Sequence, residues 1–325
     1  MDIDSILSIT GLSIHYPTSS GIVKAVDNVD FTMPRGQVVG LVGESGCGKS
    51  TLGLAILKLM RPPGEIASGS IMLDGEDLIE KSEYEMRKVR GPKVSMVFQD
   101  PMTSLNPLIR LDQHFLETIR AHERHITEKR AMARIEKLVE QLGISPSRLH
   151  EYPHELSGGM RQRIMIGLGL ILHPKLIIAD EPTNSLDVIV EAHFLDLLKS
   201  LKEKYKLTIL LITHNMGIVA QLADRVAVMY AGRIIEEGKV LDVFGKPLHP
   251  YTQGLLSSIP NIQMDQMHLY TMPGSPPDLT DPPPGCPFHP RCPYRMDICA
   301  KKRPLDLKVH GRTVECFLYG GKDDE

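Results

Sequence analysis

The sequence predicts an α/β fold with a largely parallel sheet buried between helices, and three observations carry that prediction. Residues 38–42, 176–179 and 208–212 are short apolar runs without the alternation of half-exposed strands, as expected of a sheet covered on both faces. Helix-patterned segments accompany them: residues 51–60 are apolar-rich, and Phe194, Leu197, Leu198 and Leu201 fall on one helical face. Strands alternating with helices imply parallel pairing. The first strand feeds Gly43-Glu44-Ser45-Gly46-Cys47-Gly48-Lys49-Ser50, which fits G-x-x-x-x-G-K-[ST], and the strand–loop–helix context is the one a phosphate loop needs.

The 325 residues suffice for one large domain and a smaller one. The net charge of −3 includes no long block of one sign, which weighs against an electrostatic nucleic-acid binder. No charged-then-apolar leader stands at the N-terminus, so a secretory signal is not expected. The longest apolar stretch, residues 164–172, is half of the ~20 residues a membrane helix needs. Membrane association is therefore expected only through partner proteins.

Phosphate binding calls for many backbone N–H donors in a tight concavity, and Gly43, Gly46 and Gly48 allow that approach. The dipole of the following helix adds to it. Glu44, Ser45 and Cys47 complete the loop. Lys49 is expected to reach the β- and γ-phosphates of ATP, Ser50 to ligate Mg²⁺, and Thr51 to add a phosphate contact. Cys47 reads as a small residue that fits, although a thiol near a helix N-terminus can be reactive.

From residue 100 to about 163 the pattern turns helical. Thr127 is placed as an N-cap, Ile135, Leu138, Val139 and Leu142 form a stripe, and Gly143 is a stop. The run 176–179 ends in Asp180-Glu181. A carboxylate closing a buried strand needs a compensating cation, which makes Asp180 a Mg²⁺ partner and Glu181 the general base for water. Beyond about residue 246 the composition changes, and residues 273–293 are too rich in Pro and Gly for regular helix. Cys286, Cys292, Cys299 and Cys316, spaced x5, x6 and x16, cluster here. In a reducing compartment, metal explains four such thiols better than disulfides do. The gaps are wider than those of common zinc sites or of the compact ferredoxin run, and four soft ligands fit either tetrahedral Zn²⁺ or a [4Fe–4S] cluster. His289 and His310 are nearby but read as spare.

Leu156-Ser157-Gly158-Gly159-Met160-Arg161-Gln162-Arg163, standing between the phosphate loop and Asp180-Glu181, resembles the signature of ATP-binding-cassette (ABC) ATPases. The resemblance implies a P-loop NTPase of the ABC class. It would have a RecA-like parallel-sheet core, a helical signature subdomain at about 100–163, and a small Pro/Cys-rich extension. On that reading residues 1–245 are the ATPase domain and 246–325 the extension. By the same resemblance Gln99 touches Mg²⁺ and water, His214 contacts the γ-phosphate, and Tyr16 stacks on adenine. Asp187, in Ser185-Leu186-Asp187, communicates across a dimer, and Ser157, Gly158 and Gly159 cap ATP bound to the opposite cassette.

A narrower resemblance covers nearly the whole chain. Residues 99–107 (Gln-Asp-Pro-Met-Thr-Ser-Leu-Asn-Pro), residues 249–256 (His-Pro-Tyr-Thr-Gln-Gly-Leu-Leu) and the cysteine tail are similar to the ATPases of dipeptide/oligopeptide importers. It implies a second ABC ATPase subunit (paralogue or self), two transmembrane permease subunits and an extracytoplasmic substrate-binding protein. The chain would sit peripherally on the cytoplasmic face of the membrane, with no nucleic-acid partner. It also implies that the tail holds a [4Fe–4S] cluster. Departures are mild: Asn215 stands where Asp is common, and Asn184-Ser185 where Thr-Ala is common. Related systems carry nickel or oligosaccharides, and two further readings stand beside the importer. One is a non-transport cassette ATPase acting on nucleic acid or ribosomes; the other is a metal-responsive module in which the tail is primary.

Overall fold

Two 14-residue strands, β1 (Ser5–Thr18) and β2 (Gly21–Pro34), pair antiparallel at the start of the chain. The computed structural model describes residues 5–98, 104–184, 186–258 and 272–320. The chain divides into two units, residues 1–79 with 211–325, and residues 80–210.

In the first unit, β4 (Glu65–Leu73) adds to the free side of β1, and β5 (Glu76–Asp77) completes the order β2-β1-β4-β5. Sequence patterning did not single out this antiparallel sheet. Ile6, Leu7, Ile9, Leu12 and Ile14 of β1 are all buried, and breaks in register along β1 interrupt any regular alternation. In the second sheet, β3 (Val38–Val42) lies parallel to β9 (Arg225–Tyr230), whose other side carries β10 (Arg233–Lys239) antiparallel. The hairpin β11 (Asp306–Val309) and β12 (Arg312–Glu315) then extends β10. Its turn is His310-Gly311, both at positive φ (49° and 75°), the two-residue geometry that matches strand twist. His310 is therefore a turn residue. Helices α1 (Lys49–Ile56), α7 (Met216–Leu222), α8 (Val240–Gly245) and α9 (Pro250–Ser257) belong to the same unit. The expected helix 51–60 is shorter than its apolar run, because Lys58 turns into the left-handed region at φ 48°.

In the second unit, β6 (Val94–Val97) and β7 (Leu176–Asp180) are parallel. Around them stand α2 (Glu83–Val89), α3 (Leu111–His122), α4 (Glu128–Gln141), α5 (Gly158–Leu170) and α6 (Val188–Tyr205). Thr127 takes the N-cap position of α4, though its side chain makes no capping bond, and Gly143 turns at φ 71° just after the helix. On α5, a Cβ at Gly167 would stand 2.7 Å from Leu142 Cδ1 and 3.1 Å from Phe115 Cζ, so glycine sets how closely that helix packs. Of the expected stripe on α6, Phe194, Leu198 and Leu201 are buried; Leu195 joins them and Leu197 is half-exposed. β8 (Thr208–Thr213) carries the chain from this unit into the first. The architecture is thus α/β with parallel pairs at β3/β9 and β6/β7. The expected parallel pairing is present, and β10, β11 and β12 add an antiparallel margin that the sequence reading did not include.

Candidate functional site

Residues 43–48 turn from the end of β3 into α1, with Gly43, Gly46 and Gly48 at φ 155°, 80° and 104°. A Cβ at Gly43 would lie 2.1 Å from Met229 O, and one at Gly48 2.1 Å from Ala25 O. Gly46 has nothing within 4 Å, so the missing side chain there keeps the concavity open. Lys49 is 6% exposed, and its Nζ donates to Gly43 O (2.8 Å) and Glu44 O (2.9 Å), holding the cation inside the loop. Phosphate oxygens would compete with those carbonyls for the same donor. Cys47 is buried with its Sγ 3.8 Å from Lys49 Nζ. Burial pushes its thiol above the ordinary value despite the pull of Lys49, which makes it a packing residue rather than a reactive thiolate.

Tyr16 is half-buried on β1 opposite Val23, and a Cβ on Gly64 would come within 2.5 Å of its ring. His214 is exposed just beyond β8, and the next residue caps α7: Asn215 Oδ1 accepts from Gly217 N (2.9 Å) and Ile218 N (3.4 Å). An amide oxygen caps as well as a carboxylate, so the Asn in place of Asp costs that turn little.

The second unit positions the remaining set. Asp180 closes β7 at 6% exposure, and Glu181 follows at φ 46°, a left-handed conformation uncommon for a non-glycine and typical of constrained functional turns. Ser157 caps α5 by accepting from Met160 N at 3.4 Å, while Gly158 is exposed with nothing within 4 Å of its missing side chain. The first N–H groups of a 13-residue helix are therefore presented at the surface, where an anion is favoured. Gly159 is glycine for packing, since a Cβ would meet Val190 Cγ1 at 2.6 Å. Asp187 caps α6 through Val190 N at 2.9 Å. Gln99, with residues 100–103, and Ser185 lie outside the described residues.

The four cysteines of the tail are free thiols and line one small cavity of about 10 Å³ together with His249, Phe288 and His289. Burial pushes Cys286 up to about 12 and Cys316 to about 11, and raises Cys292 as well. Among the described residues no three His, Cys, Asp or Glu side chains close on a point as a single metal ion requires. The thiols thus line one cavity, and no metal site is formed among the described residues. Two residues unassigned by the motif reading reach the phosphate loop from this tail: Tyr251 and Arg291 both contact Glu44. Neither carries a motif signal for that role.

Two family models match the chain, "ABC transporter" over residues 26–184 and "Oligopeptide/dipeptide transporter, C-terminal region" over residues 235–299. The chain is 46% identical over 320 residues to the oligopeptide transport ATP-binding protein AppD of Bacillus subtilis, covering 97% of both chains. It is 43% identical over 319 residues to the dipeptide transport ATP-binding protein DppD of the same organism, covering 97% of this chain and 95% of that one. The chain belongs to this family of transport ATP-binding proteins. Among solved structures, the dimeric post-hydrolysis cassette MJ0796 with ADP and Pi superposes with a TM-score of 0.65 at 26% identity, covering 72% of this chain and 98% of that one. Membership makes the chain an ABC ATPase with the P-loop NTPase fold. No helix among the described residues is long and apolar enough to cross a membrane.

Proposed function

We propose that the chain is the ATP-hydrolysing motor of an importer for dipeptides or oligopeptides, acting through two permease subunits and fed by an extracytoplasmic binding protein. The carrying observation is that likeness to peptide-transport ATPases runs the length of the chain and includes residues 235–299, beyond the cassette itself. The division into an ATPase domain at 1–245 and an extension at 246–325 belongs to the same reading. The chain would work at the cytoplasmic face of the membrane, held by its partners.

The roles follow from chemistry. Residues 43–51 bind the phosphates, Lys49 neutralises them, and Tyr16 offers an aromatic face to adenine. Ser50, Gln99 and Asp180 are the hydroxyl, amide and carboxylate donors that suit Mg²⁺, which when bound neutralises phosphate charge. The burial of Asp180 fits that assignment. Glu181 orients and deprotonates the attacking water, and His214 contacts the γ-phosphate. The exposed N-terminus of α5 at Ser157, Gly158 and Gly159 suits an ATP held by a second cassette, with Asp187 relaying across the pair. The 82% and 71% exposure of Val188 and Ile189, next to Asp187, supports a covered dimer face there.

For the tail we infer a [4Fe–4S] cluster rather than Zn²⁺. What supports it is the family resemblance together with four soft sulfur donors, Cys286, Cys292, Cys299 and Cys316, lining one cavity. When bound, the cluster cross-links through its sulfur ligands a Pro-rich segment that has little core of its own.

Three experiments test these readings. Glu181→Gln should retain ATP, lower hydrolysis by about 10²–10⁴-fold and favour the closed dimer; normal turnover in that variant would remove Glu181 as the base. ATP-dependent uptake of labelled dipeptides into vesicles carrying the permease partners should require this chain. Uptake of nickel or oligosaccharide instead would reassign the solute. Anaerobic purification should give about four irons and four sulfides per chain with a brown colour, whereas one zinc and no colour would overturn the cluster.

A further inference from the structure

The loop from Cys286 to Cys292 reaches the phosphate loop. Phe288, 2% exposed, stacks edge-on against Tyr230 (5.3 Å between centroids) and Tyr251 (5.5 Å). Three residues on, Arg291 is 8% exposed and grips the Glu44 carboxylate with both arms, Nη1 to Oε2 at 2.8 Å and Nη2 to Oε1 at 2.9 Å. The guanidinium is itself anchored, since Nε donates to Pro273 O at 2.9 Å and Nη1 reaches Tyr230 Oη at 3.4 Å. From the other side Tyr251 Oη accepts from the Glu44 N–H at 2.8 Å. Glu44 O in turn accepts from Lys49 Nζ at 2.9 Å. Every polar group of Glu44 is thus occupied: its N–H and carboxylate by the C-terminal segment, and its carbonyl by the phosphate-binding lysine.

Two consequences follow from elementary electrostatics. An acidic side chain in a loop that receives a triphosphate repels its own ligand unless a fixed cation cancels it. A forked guanidinium also fixes the carboxylate's orientation, which an ammonium cannot do. The side-chain hydrogen bonds to Glu44 and Tyr230 hold Arg291 firmly in its charged form.

We propose that Arg291, assisted by Tyr251, is a positioning residue of the phosphate loop, cancelling the charge of Glu44 and fixing the peptide from which Lys49 is presented to the triphosphate. The proposal rests on the ATPase reading and adds to it a site 247 residues away in sequence.

The test uses the full chain and Mg·ATP, with dissociation constants by calorimetry alongside kcat and KM. Arg291→Met should weaken ATP binding about tenfold, with the loss carried by KM more than kcat. The loss should be larger for ATP than for ADP, because repulsion grows with ligand charge. Arg291→Lys should fall between parent and Arg291→Met. Adding Glu44→Gln to Arg291→Met should restore affinity to within about threefold of the parent, since the repelling charge is gone. Parent-like ATP affinity in Arg291→Met would overturn the proposal. So would a double variant as weak as the single one, which would mark the contact as mere packing. If Arg291→Met does not fold, Arg291→Lys decides alone: parent-like affinity and an unchanged ATP/ADP ratio refute the proposal. A parent chain that fails to bind ATP would instead refute the ATPase reading itself.

Discussion

The phosphate loop and the cysteine loop are both tight turns dense in residues that restrict or free the backbone, yet they hold their shapes by opposite means. Residues 43–48 are shaped by glycines at positive φ pressed against carbonyls of β2 and β9, so the loop is built into the sheet. Residues 286–292 are shaped by prolines and by side chains around a cavity, with turn hydrogen bonds such as His289 N to Cys286 O at 3.0 Å and one longer-range bond, Cys286 N to Cys299 O at 2.8 Å. The first is rigid through its backbone. The second is held by side-chain contacts, and Phe288 and Arg291 carry those contacts onward to Tyr230, Tyr251 and Glu44. A motif that reads as a self-contained nucleotide cradle is therefore held partly from outside itself.

The sharpest way to break the comparison is to put a side chain where the phosphate loop tolerates none. In Gly48→Ala the new Cβ would stand 2.1 Å from Ala25 O at a φ of 104°. The loop must then distort, and ATP affinity should fall by more than about a hundredfold, equivalent to roughly 3 kcal/mol. Calorimetric titration with Mg·ATP measures it. The proposed cluster should be retained in this variant, because the thiols that would hold it depend on other contacts. Loss of metal together with ATP binding would mean that the two loops form one cooperative unit.

Legibility in the sequence divides along the same line. The phosphate loop, the buried strands 38–42 and 176–180, and the turn after Asp180 were readable because each rests on local spacing or an unbroken apolar run. The β1–β2–β4 sheet was not, because β1 bulges and its register breaks. The antiparallel margin at β10, β11 and β12 was missed although His310-Gly311 is a recognisable hairpin turn, because a four-residue strand has too few positions to show a period. Gln99, readable only by resemblance, falls outside the described residues. Arg291 and Tyr251 were invisible as phosphate-loop residues because the contact spans more than two hundred positions. No periodicity or spacing rule encodes a pairing of that range.

Cys292→Ser sharpens the comparison from the other side and should have the smaller effect on ATP. A serine hydroxyl is close to isosteric but a poor ligand for a soft metal, so the proposed cluster should be lost. The segment around residues 286–299 should then become more susceptible to protease, while residues 43–51 stay protected. The sequence alone leads to the expectation that ATP binding survives, and the structure qualifies it. Arg291 sits beside Cys292, but Pro273 O, Tyr230 Oη and the Glu44 carboxylate still hold its guanidinium independently of the thiol. Binding should therefore persist, weakened by no more than about threefold, well short of the tenfold loss expected when the guanidinium itself is removed. Normal iron content with unaltered protease resistance would show that Cys292 is not a ligand. A loss of ATP affinity as large as that of Arg291→Met would show that the metal centre, rather than the ion pair, sets the phosphate loop.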